Sequence, residues 1–203
     1  MTAVDRSVVR EAEGEDLATL TQTMVHAFAD DPFARWVAPR KSDRMRVLRG
    51  YFDVSLTHKQ SYGFVHCTGD HLGAAIWVPP DESELTVREA WAIIRPNVVS
   101  RLAFRAPLLA RGLMQIDRLH PEQPHFYLAA IGVEPSAQGR GLGSQLLAPV
   151  LELCDADRIG AYLESSNPAN VDMYARHGFR VVKELKLPRG PVIHTMWRDP
   201  GTG

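Results

Sequence analysis

The stretch IGVEPSAQGRGLGS, residues 131–144, decides how the rest of the sequence is interpreted. It follows an apolar run over residues 125–133 that predicts a strand, and it opens a run over residues 142–155 that predicts a helix despite Pro149. Its glycines lack a side chain, so the backbone can turn tightly and expose consecutive N–H groups. The helix behind it adds unpaired N–H groups and the positive end of its dipole. Such a loop is suited to hold a phosphate or a pyrophosphate.

The spacing of the glycines excludes the commonest phosphate-binding motifs. No lysine follows at the place that a P-loop requires, and Ser144 stands where the dinucleotide-binding fingerprint needs its third glycine. The serine-nucleophile motif GxSxG is also absent from the sequence. What remains is a glutamine followed by two spaced glycines, Gln138, Gly141 and Gly143. On glycine content alone, a turn with a purely structural role stays an equal alternative.

Composition narrows the class of protein. The 203 residues are 45% hydrophobic and 23% charged, which suits a globular chain, and we expect one domain over residues 1–203. A formal charge of −1 argues against nucleic acid or an anionic membrane as the main partner. Without a signal peptide or a run of about 20 apolar residues, a cytoplasmic protein is expected. Two cysteines and no HExxH motif predict neither a disulfide scaffold nor a metal site.

Outside the loop, hydrophobic periodicity alternates between helix and strand signals. Before the loop it predicts a short strand (residues 6–11), a helix (residues 14–28), a second helix from residue 42 onward, a β-hairpin (residues 62–68 with 72–78) and a broken helical region (residues 84–119). After the loop helix it predicts a strand (residues 161–165), a short helix ended by a glycine (residues 169–177) and a closing hairpin (residues 181–187 with 192–197). This order predicts an α/β (α+β) fold in which helices cover a mixed sheet.

A second motif lies downstream of the glycine loop: LESSNPANVDMYARHGF, residues 163–179. With the Gln-x-x-Gly-x-Gly loop it resembles the GCN5-related N-acetyltransferase (GNAT) superfamily. The resemblance implies a GNAT-like, mostly antiparallel central sheet of about seven strands flanked by helices. It also implies an enzyme that uses acetyl-CoA and no metal, with the loop amides around the CoA pyrophosphate and the preceding strand beside the pantetheine arm.

The resemblance assigns roles to individual residues. Asn170 would hydrogen-bond the pantetheine arm, and Tyr174 would lie near the CoA sulfur and protonate the departing thiolate. A phenol suits this role because it stays protonated at neutral pH, although a lone tyrosine on a short helix more often only packs. The other cofactor-binding candidates are the end of the preceding strand and the loop itself: Ile131, Gly132, Val133, Gln138, Gly139, Arg140, Gly141, Leu142, Gly143 and Ser144.

Acetylation of an amine also needs a base, because an ammonium nitrogen has no lone pair with which to attack. The candidates are Glu134, at the end of the strand before the loop, and Glu164, within the strand YLESS. Glu164 stands out because a charge inside an apolar strand needs a partner or a purpose. Both can also be solvated or paired carboxylates. Asp30, Asp31 and Phe33 are candidates for acceptor binding, and their Asp-Asp-Pro run can equally be a turn cap.

Further segments narrow the resemblance to the puromycin N-acetyltransferase group. AFADDPF (residues 27–33), AAIWVPP (residues 74–80) and the run over residues 123–178 are similar to that group. It implies a small-molecule acceptor with a primary amine, of an antibiotic-like or aminoacyl kind, and a monomer or a homodimer. Asp31 stands where the group carries an aromatic residue, so an amine related to puromycin is expected rather than puromycin itself. A protein acetyltransferase (lysine or N-terminal) and a non-catalytic acyl-CoA sensor are the alternatives.

Overall fold

The computed structural model describes residues 9–61, 64–80, 82 and 103–201. Seven strands form one sheet in the order β1-β2-β3-β4-β5-β7-β6. In chain order they are β1 (Val9–Glu11), β2 (Val65–Thr68), β3 (Gly73–Val78), β4 (His125–Val133), β5 (Gly160–Ser165), β6 (Arg180–Lys186) and β7 (Val192–Arg198). Each strand expected from the sequence is present, and the expected residues 6–8 and 62–63 lie outside the described ranges.

Six α-helices lie within the described ranges. They are α1 (Leu17–Ala27), α2 (Pro32–Val37), α3 (Lys41–Gln60), α4 (Ala106–Asp117), α5 (Leu142–Asp157) and α6 (Val171–Ala175). Five of them fall in predicted helical segments, whereas α2 occupies a stretch where we expected only a turn. Pro32 is the first residue of α2, a position at which a proline sacrifices no hydrogen bond. The part of the predicted helical region at residues 84–102 lies outside the described residues.

The sheet is mixed but mostly antiparallel, as predicted. Among the strands that the structure describes, only β4 and β5 run parallel, and their register joins four residues of each strand, from His125↔Gly160 to Leu128↔Leu163. The long crossover that a parallel pair requires contains α5. All other neighbouring strands pair antiparallel. The parallel contact therefore joins two antiparallel halves, β1 to β4 and β5 to β7.

A bulge lies in the middle of β4. The pairing with β3 passes from Trp77↔Leu128 to Ile76↔Ala130, which leaves Ala129 as an extra residue on β4. An extra residue moves the following side chains to the opposite face. Leu128 accordingly packs in the cluster with α5, whereas Gly132 faces α1, where an added Cβ would lie 2.9 Å from a side-chain atom. Only glycine fits at that close approach.

Helices cover both faces of the sheet. On one face α5 packs across β2, β3, β4 and β5. The cluster there includes Trp77, Leu147 and Leu163, with Met196 of β7. On the other face α1 and α3 pack against β2 and β3, through Leu20, Met24, Phe52 and Leu56. A smaller apolar cluster joins α2 and α4 to the end of the β6–β7 hairpin, around Trp36, Leu187 and Ile193. Since α5 contacts strands of both halves, it holds the two halves of the sheet together.

Candidate active site

The pairing of β4 with β5 ends where the bulge begins. Beyond Leu128, β4 continues through residues 129–133, while Glu164 of β5 lies opposite Thr195 of β7. Within the described residues, no strand pairs with the β5 side of residues 129–133. An unpaired strand edge leaves backbone N–H and C=O groups for another partner. We call this place the central opening; it is bordered by residues 129–133 on one side and residues 164–166 on the other.

The glycine loop lies at the far end of this strand edge. Gly139 and Gly141 have φ angles of 77° and 80°, in the left-handed region that glycine adopts without strain. Nothing lies within 4 Å of the place where a Cβ would stand on either residue. The backbone path, and not a lack of space, therefore requires these two glycines. Nε2 of Gln138 donates to the carbonyl oxygen of Val133 at 3.2 Å, which folds the loop back on β4.

Gly141 is also the N-cap of α5. Within the described residues, no side chain caps this end of the helix, so the N–H groups of its first turn are left for a ligand or for water. The guanidinium of Arg140 donates to the carbonyl oxygen of Ser136 at 2.9 Å and adds a positive charge to the same exposed loop. Backbone donors, the helix dipole and a cation together fit an anionic group such as a pyrophosphate.

Tyr174 is buried on α6, and exposed Asn170 is the N-cap of the same helix. The tyrosine ring lies edge-on to Phe179, with ring centroids 6.0 Å apart. Burial raises the pKa of the Tyr174 phenol above its usual range, and the charge of Asp31 acts in the same direction. The hydroxyl therefore stays protonated at neutral pH, as a proton donor must.

Side-chain contacts fix α6 relative to the loop helix. Oγ of Ser144, in the first turn of α5, lies 2.8 Å from Nε2 of His177, which follows α6. Arg198 donates to the carbonyl oxygen of His177 at 3.0 Å, and its guanidinium donates two hydrogen bonds of 2.7 Å to the carboxylate of Asp155 on α5. Burial lowers the pKa of His177, and the charges of Arg176 and Arg198 act in the same direction. At neutral pH, the imidazole of His177 that contacts Ser144 is therefore uncharged.

Glu164 lies at the border of the central opening, with a donor on each of its oxygens. The Tyr127 hydroxyl donates to Oε2 and the Tyr162 hydroxyl donates to Oε1, each at 3.0 Å. Nδ1 of His120 lies 4.0 Å from Oε1, and the Glu164 side chain is 15% exposed. The partners that a charge inside an apolar strand requires are thus present, and some of the carboxylate remains accessible to water.

Glu134 lies at the opposite end of β4, next to the glycine loop. Its Oε2 is 3.1 Å from Nδ1 of the exposed His26, and its N–H donates to the carbonyl oxygen of Leu72 at 2.7 Å. It lies six positions after Leu128, where the pairing of β4 with β5 ends, and six positions span roughly 20 Å in a strand. The two candidate bases therefore lie at different ends of the central opening, and only Glu164 follows directly on the last paired residues.

The Asp-Asp-Pro run starts α2 at the edge of the opening. Asp31 is the N-cap: its Oδ1 accepts from two N–H groups of the first turn, including that of Phe33, at 2.8 and 3.0 Å. Its Oδ2 accepts from the Ser166 hydroxyl at 2.8 Å, which fastens α2 to the residue after β5. Asp30 is exposed and pairs with Arg35 at 2.6 Å. These contacts agree with a cap, and a role of the three residues in acceptor binding stays a prediction.

Tyr127, Tyr162 and His120 were not predicted as neighbours of Glu164. One signal was available, since Tyr162 and Glu164 are two residues apart in a strand and must share a face. The position of Tyr127 opposite Tyr162 follows from the β4–β5 register, which no local pattern encodes. His120 reaches the group from the connection between α4 and β4.

Both cysteines, Cys67 and Cys154, are buried and free. Burial raises the pKa of their thiols to about 11 and about 12, so neither is a thiolate at neutral pH. In the ranges that the structure describes, no three His, Cys, Asp or Glu side chains are grouped so as to hold a metal ion. The helices of the same ranges include none with the length and apolar character of a membrane span.

Comparison with known proteins relates this arrangement to one family. The model of the acetyltransferase (GNAT) family matches residues 35–179, which include the glycine loop, the central opening and α6. An uncharacterised N-acetyltransferase of Schizosaccharomyces pombe is 24% identical over 210 residues, covering 95% of this chain and 83% of that protein. The N-alpha-acetyltransferase RimI of Mycobacterium tuberculosis is 32% identical over 94 residues, covering 44% of this chain and 60% of that protein.

A solved structure shares the whole fold. It is the crystal structure from Corynebacterium glutamicum described as histone acetyltransferase HPA2 and related acetyltransferase, with a TM-score of 0.70 and 26% identity. The likeness covers 97% of both chains, so it includes both halves of the sheet and the helices on its two faces. The match of the family model extends over well more than half of the chain.

Proposed function

Since this chain belongs to the acetyltransferase (GNAT) family, we propose that it transfers an acetyl group from acetyl-CoA to the primary amine of a small molecule. The family and its named relatives make the chain an N-acetyltransferase. Acetyl-CoA as the donor, a small molecule as the acceptor, and one domain over residues 1–203 are the parts that we add. The resemblance to the puromycin N-acetyltransferase group supports the choice of acceptor.

The observation that carries the proposal is the glycine loop at the end of an open strand edge. Open space beside Gly139 and Gly141 and the uncapped first turn of α5 fit the two phosphates of CoA. The backbone of residues 129–133 can pair with the amides of the pantetheine arm as a further strand would. The residues that we assign to CoA are Ile131, Gly132, Val133, Gln138, Gly139, Arg140, Gly141, Leu142, Gly143, Ser144, Asn170 and Tyr174.

Two side chains are proposed to move protons. Bound acetyl-CoA supplies a thioester carbonyl that is already activated. Glu164 takes a proton from the ammonium group of the acceptor, directly or through water, which frees the nitrogen lone pair for direct attack in a ternary complex. Tyr174 gives its proton to the leaving sulfur, since its phenol is protonated at neutral pH.

The choice of Glu164 over Glu134 as the base rests on position. Glu164 directly follows Leu163, the last residue of β5 that pairs with β4. Glu134 lies next to the loop proposed for the pyrophosphate, roughly 20 Å along the strand from that point. In an extended CoA molecule the phosphates and the thioester are at different ends. A base is needed at the thioester end, so Glu134 is the weaker of the two candidates.

The acceptor is proposed to enter beside α2. Asp30 and Asp31 would attract a cationic amine, and the Phe33 ring, 5.5 Å from that of Trp36, adds an aromatic wall. This combination suits an aminoacyl compound with an apolar group. The similarity to RimI, an N-alpha-acetyltransferase, supports a second candidate acceptor, the N-terminus of a peptide.

Thermal unfolding with acetyl-CoA, CoA, ATP or NAD at about 1 mM tests the donor. A ligand at 100 times its Kd should raise the stability by about 2.7 kcal/mol, so a rise with acetyl-CoA and CoA alone is expected. Gly141→Val should abolish the rise without unfolding the protein. If folded protein shows no rise with either CoA species, the assignment of the glycine loop is wrong.

A screen of amines by release of the CoA thiol tests the acceptor. We expect turnover with puromycin-like aminoacyl amines and little with peptides that carry a free N-terminus. Turnover confined to the peptides would replace the small-molecule acceptor by a protein one. Binding of acetyl-CoA without turnover of any amine would favour a sensor of acyl-CoA.

A further inference from the structure

Two tyrosine hydroxyls, from neighbouring strands, donate hydrogen bonds to the carboxylate of Glu164. Tyr127 of β4 donates to Oε2 and Tyr162 of β5 donates to Oε1, each at 3.0 Å. The two tyrosines are register partners across the parallel pair, with ring centroids 6.0 Å apart and an angle of 31° between the rings. Tyr162 and Glu164 are two residues apart in β5 and therefore share a face of the sheet. Tyr127 lies on the same face because it is the register partner of Tyr162. The carboxylate is therefore held by the rigid centre of the sheet, not by a loop.

The surroundings of this carboxylate are aromatic. His120 lies edge-on to both tyrosines, with ring centroids 5.3 Å from Tyr127 and 4.9 Å from Tyr162. His125 lies 5.5 Å from Tyr162 and 4.7 Å from His120, and its Nδ1 is 2.7 Å from the carbonyl oxygen of Gln123. Among the described residues, the titratable groups beside Glu164 include two phenols, on β4 and β5, and two imidazoles, one on β4 and one on the connection that precedes it.

The ionic state of Glu164 decides what the hydroxyls do. An ionised carboxylate is only an acceptor, and it can take one hydroxyl proton on each oxygen. A protonated carboxyl carries a donor on one oxygen and is a poorer acceptor there. Hydrogen bonds of this kind therefore favour the ionised form over the protonated form. Burial has the opposite effect and favours the protonated form, since Tyr162 is 1% exposed and the Glu164 side chain is 15% exposed.

We propose that Tyr127 and Tyr162 are positioning residues that hold Glu164 ionised and aimed at the central opening. This inference rests on the proposed function, in which Glu164 is the base. In the step, an N–H bond of the acceptor ammonium breaks, its electron pair stays on nitrogen, and an O–H bond forms on Glu164. The tyrosines keep their own protons throughout. They set the pH above which Glu164 can take the proton, and they keep its oxygens in one orientation.

The test changes only the two hydroxyls. Tyr127→Phe, Tyr162→Phe and the double variant retain the rings and therefore the aromatic contacts. Tyr51→Phe is the matched control, because it removes a hydroxyl from α3, outside the β4–β5 pair, where the Tyr51 ring packs against Phe52. Thermal unfolding confirms that each variant is folded before it is compared. A role in packing alone would leave the ionisation of Glu164 the same in all of them.

The decisive measurement is a pH titration of the carboxyl carbons in protein labelled with ¹³C-glutamate, in which Glu164→Gln identifies the Glu164 signal by its loss. Each single variant should raise the proton affinity of Glu164 by roughly tenfold, which is the usual effect of one hydrogen bond to a charged group. The double variant should raise it further, and Tyr51→Phe should not change it. An unchanged titration of Glu164 in the double variant would overturn the proposal.

Release of the CoA thiol with a puromycin-like amine separates this inference from the proposed function. If Glu164 is the base, Glu164→Gln should lose most of kcat, and the acid side of the kcat/KM profile should move to higher pH in the two tyrosine variants. An active Glu164→Gln protein would remove the base role and with it the catalytic meaning of the tyrosines. An inactive Glu164→Gln protein with an unmoved profile in both variants would contradict the tyrosine assignment alone.

Discussion

Gly141 combines a left-handed backbone conformation with a proposed role in binding CoA. Its φ of 80° is costly for any residue with a Cβ, while the absence of atoms within 4 Å means that a small side chain meets no steric obstacle. We expect Gly141→Ala to lower the free energy of unfolding by about 1–2 kcal/mol, the usual cost of a left-handed conformation. Gly141→Asn should lower the free energy of unfolding by less, since asparagine adopts the left-handed conformation more readily than alanine. Urea denaturation measures the series.

Gly14→Ala is the control for that series. Gly14 also has open space around the position of a Cβ, but its φ is not positive. This substitution should leave the stability within a few tenths of a kcal/mol of the wild type or raise it slightly. Equal losses at the two glycines would show that the left-handed backbone at Gly141 does not set the cost.

Tyr174 tests the chemistry at the same scale. Its phenol is protonated at neutral pH and is assigned to the leaving sulfur, so Tyr174→Phe should reduce kcat by about 10–10³-fold, the effect of losing one general acid. The ring contact with Phe179 is preserved, and the affinity for acetyl-CoA in calorimetry should remain near that of the wild type. If the variant is folded but no longer binds acetyl-CoA, the tyrosine holds the cofactor and does not act as the acid.

At the scale of elements, a buried carboxylate joins β1, α1 and the β2–β3 turn. Asp16 precedes α1 and accepts two hydrogen bonds from Arg10 of β1, at 2.6 and 2.8 Å. Nε2 of His71, in the turn, lies 2.6 Å from its Oδ1, and the N–H of Glu13 donates to it at 2.7 Å. The hydrogen bonds from Arg10 hold the pKa of Asp16 far below its usual value, more than burial raises it.

We expect Asp16→Asn to lower the free energy of unfolding by about 2 kcal/mol near pH 7, because it removes hydrogen bonds to a charged group. The folded state has the lower pKa, so this stability is complete above the unfolded value of about 3.9 and is lost as the pH falls further. The difference between wild type and variant should therefore narrow in urea denaturation near pH 3. The exposed Asp30→Asn is the control and should change stability little. A difference that stays constant with pH would show that the loss is not due to the charge.

The elements also show what local sequence patterns determine. Periodicity and glycine placement predicted β4, the loop and α5 nearly to the residue, because each has a continuous local signal. The helix α2 was not predicted because Asp31-Pro32 is typical of a turn, and the hydrogen bond from Ser166 that attaches this helix to the residue after β5 is a long-range contact. The bulge at Ala129 was equally hidden, since it arises from pairing with β3 and leaves no mark in the residues of β4.

At the scale of the whole molecule, the order of the strands decides where the site lies. The sequence order predicted a mixed sheet, yet it could not show that β7 inserts between β5 and β6. Nor could it show that the parallel pair of β4 and β5 stops after Leu128↔Leu163. These two features bring Glu164 and the strand edge of β4 to the same opening. Candidate residues could thus be found from motifs, but their grouping depends on long-range pairing.

Hydrogen exchange with and without acetyl-CoA tests this view of the molecule. A ligand that pairs with the open edge of β4 should slow amide exchange over residues 129–144, because the edge and the first turn of α5 gain acceptors. Peptides from β1, at the edge of the sheet, and from α3, on the face opposite α5, should exchange as before, and ATP should have no effect. Protection that appears on α3 but not on residues 129–144 would place the ligand elsewhere. Since residues 129–133 and the loop belong to one continuous segment, protection of both by one ligand would show that the opening and the glycine loop form a single site.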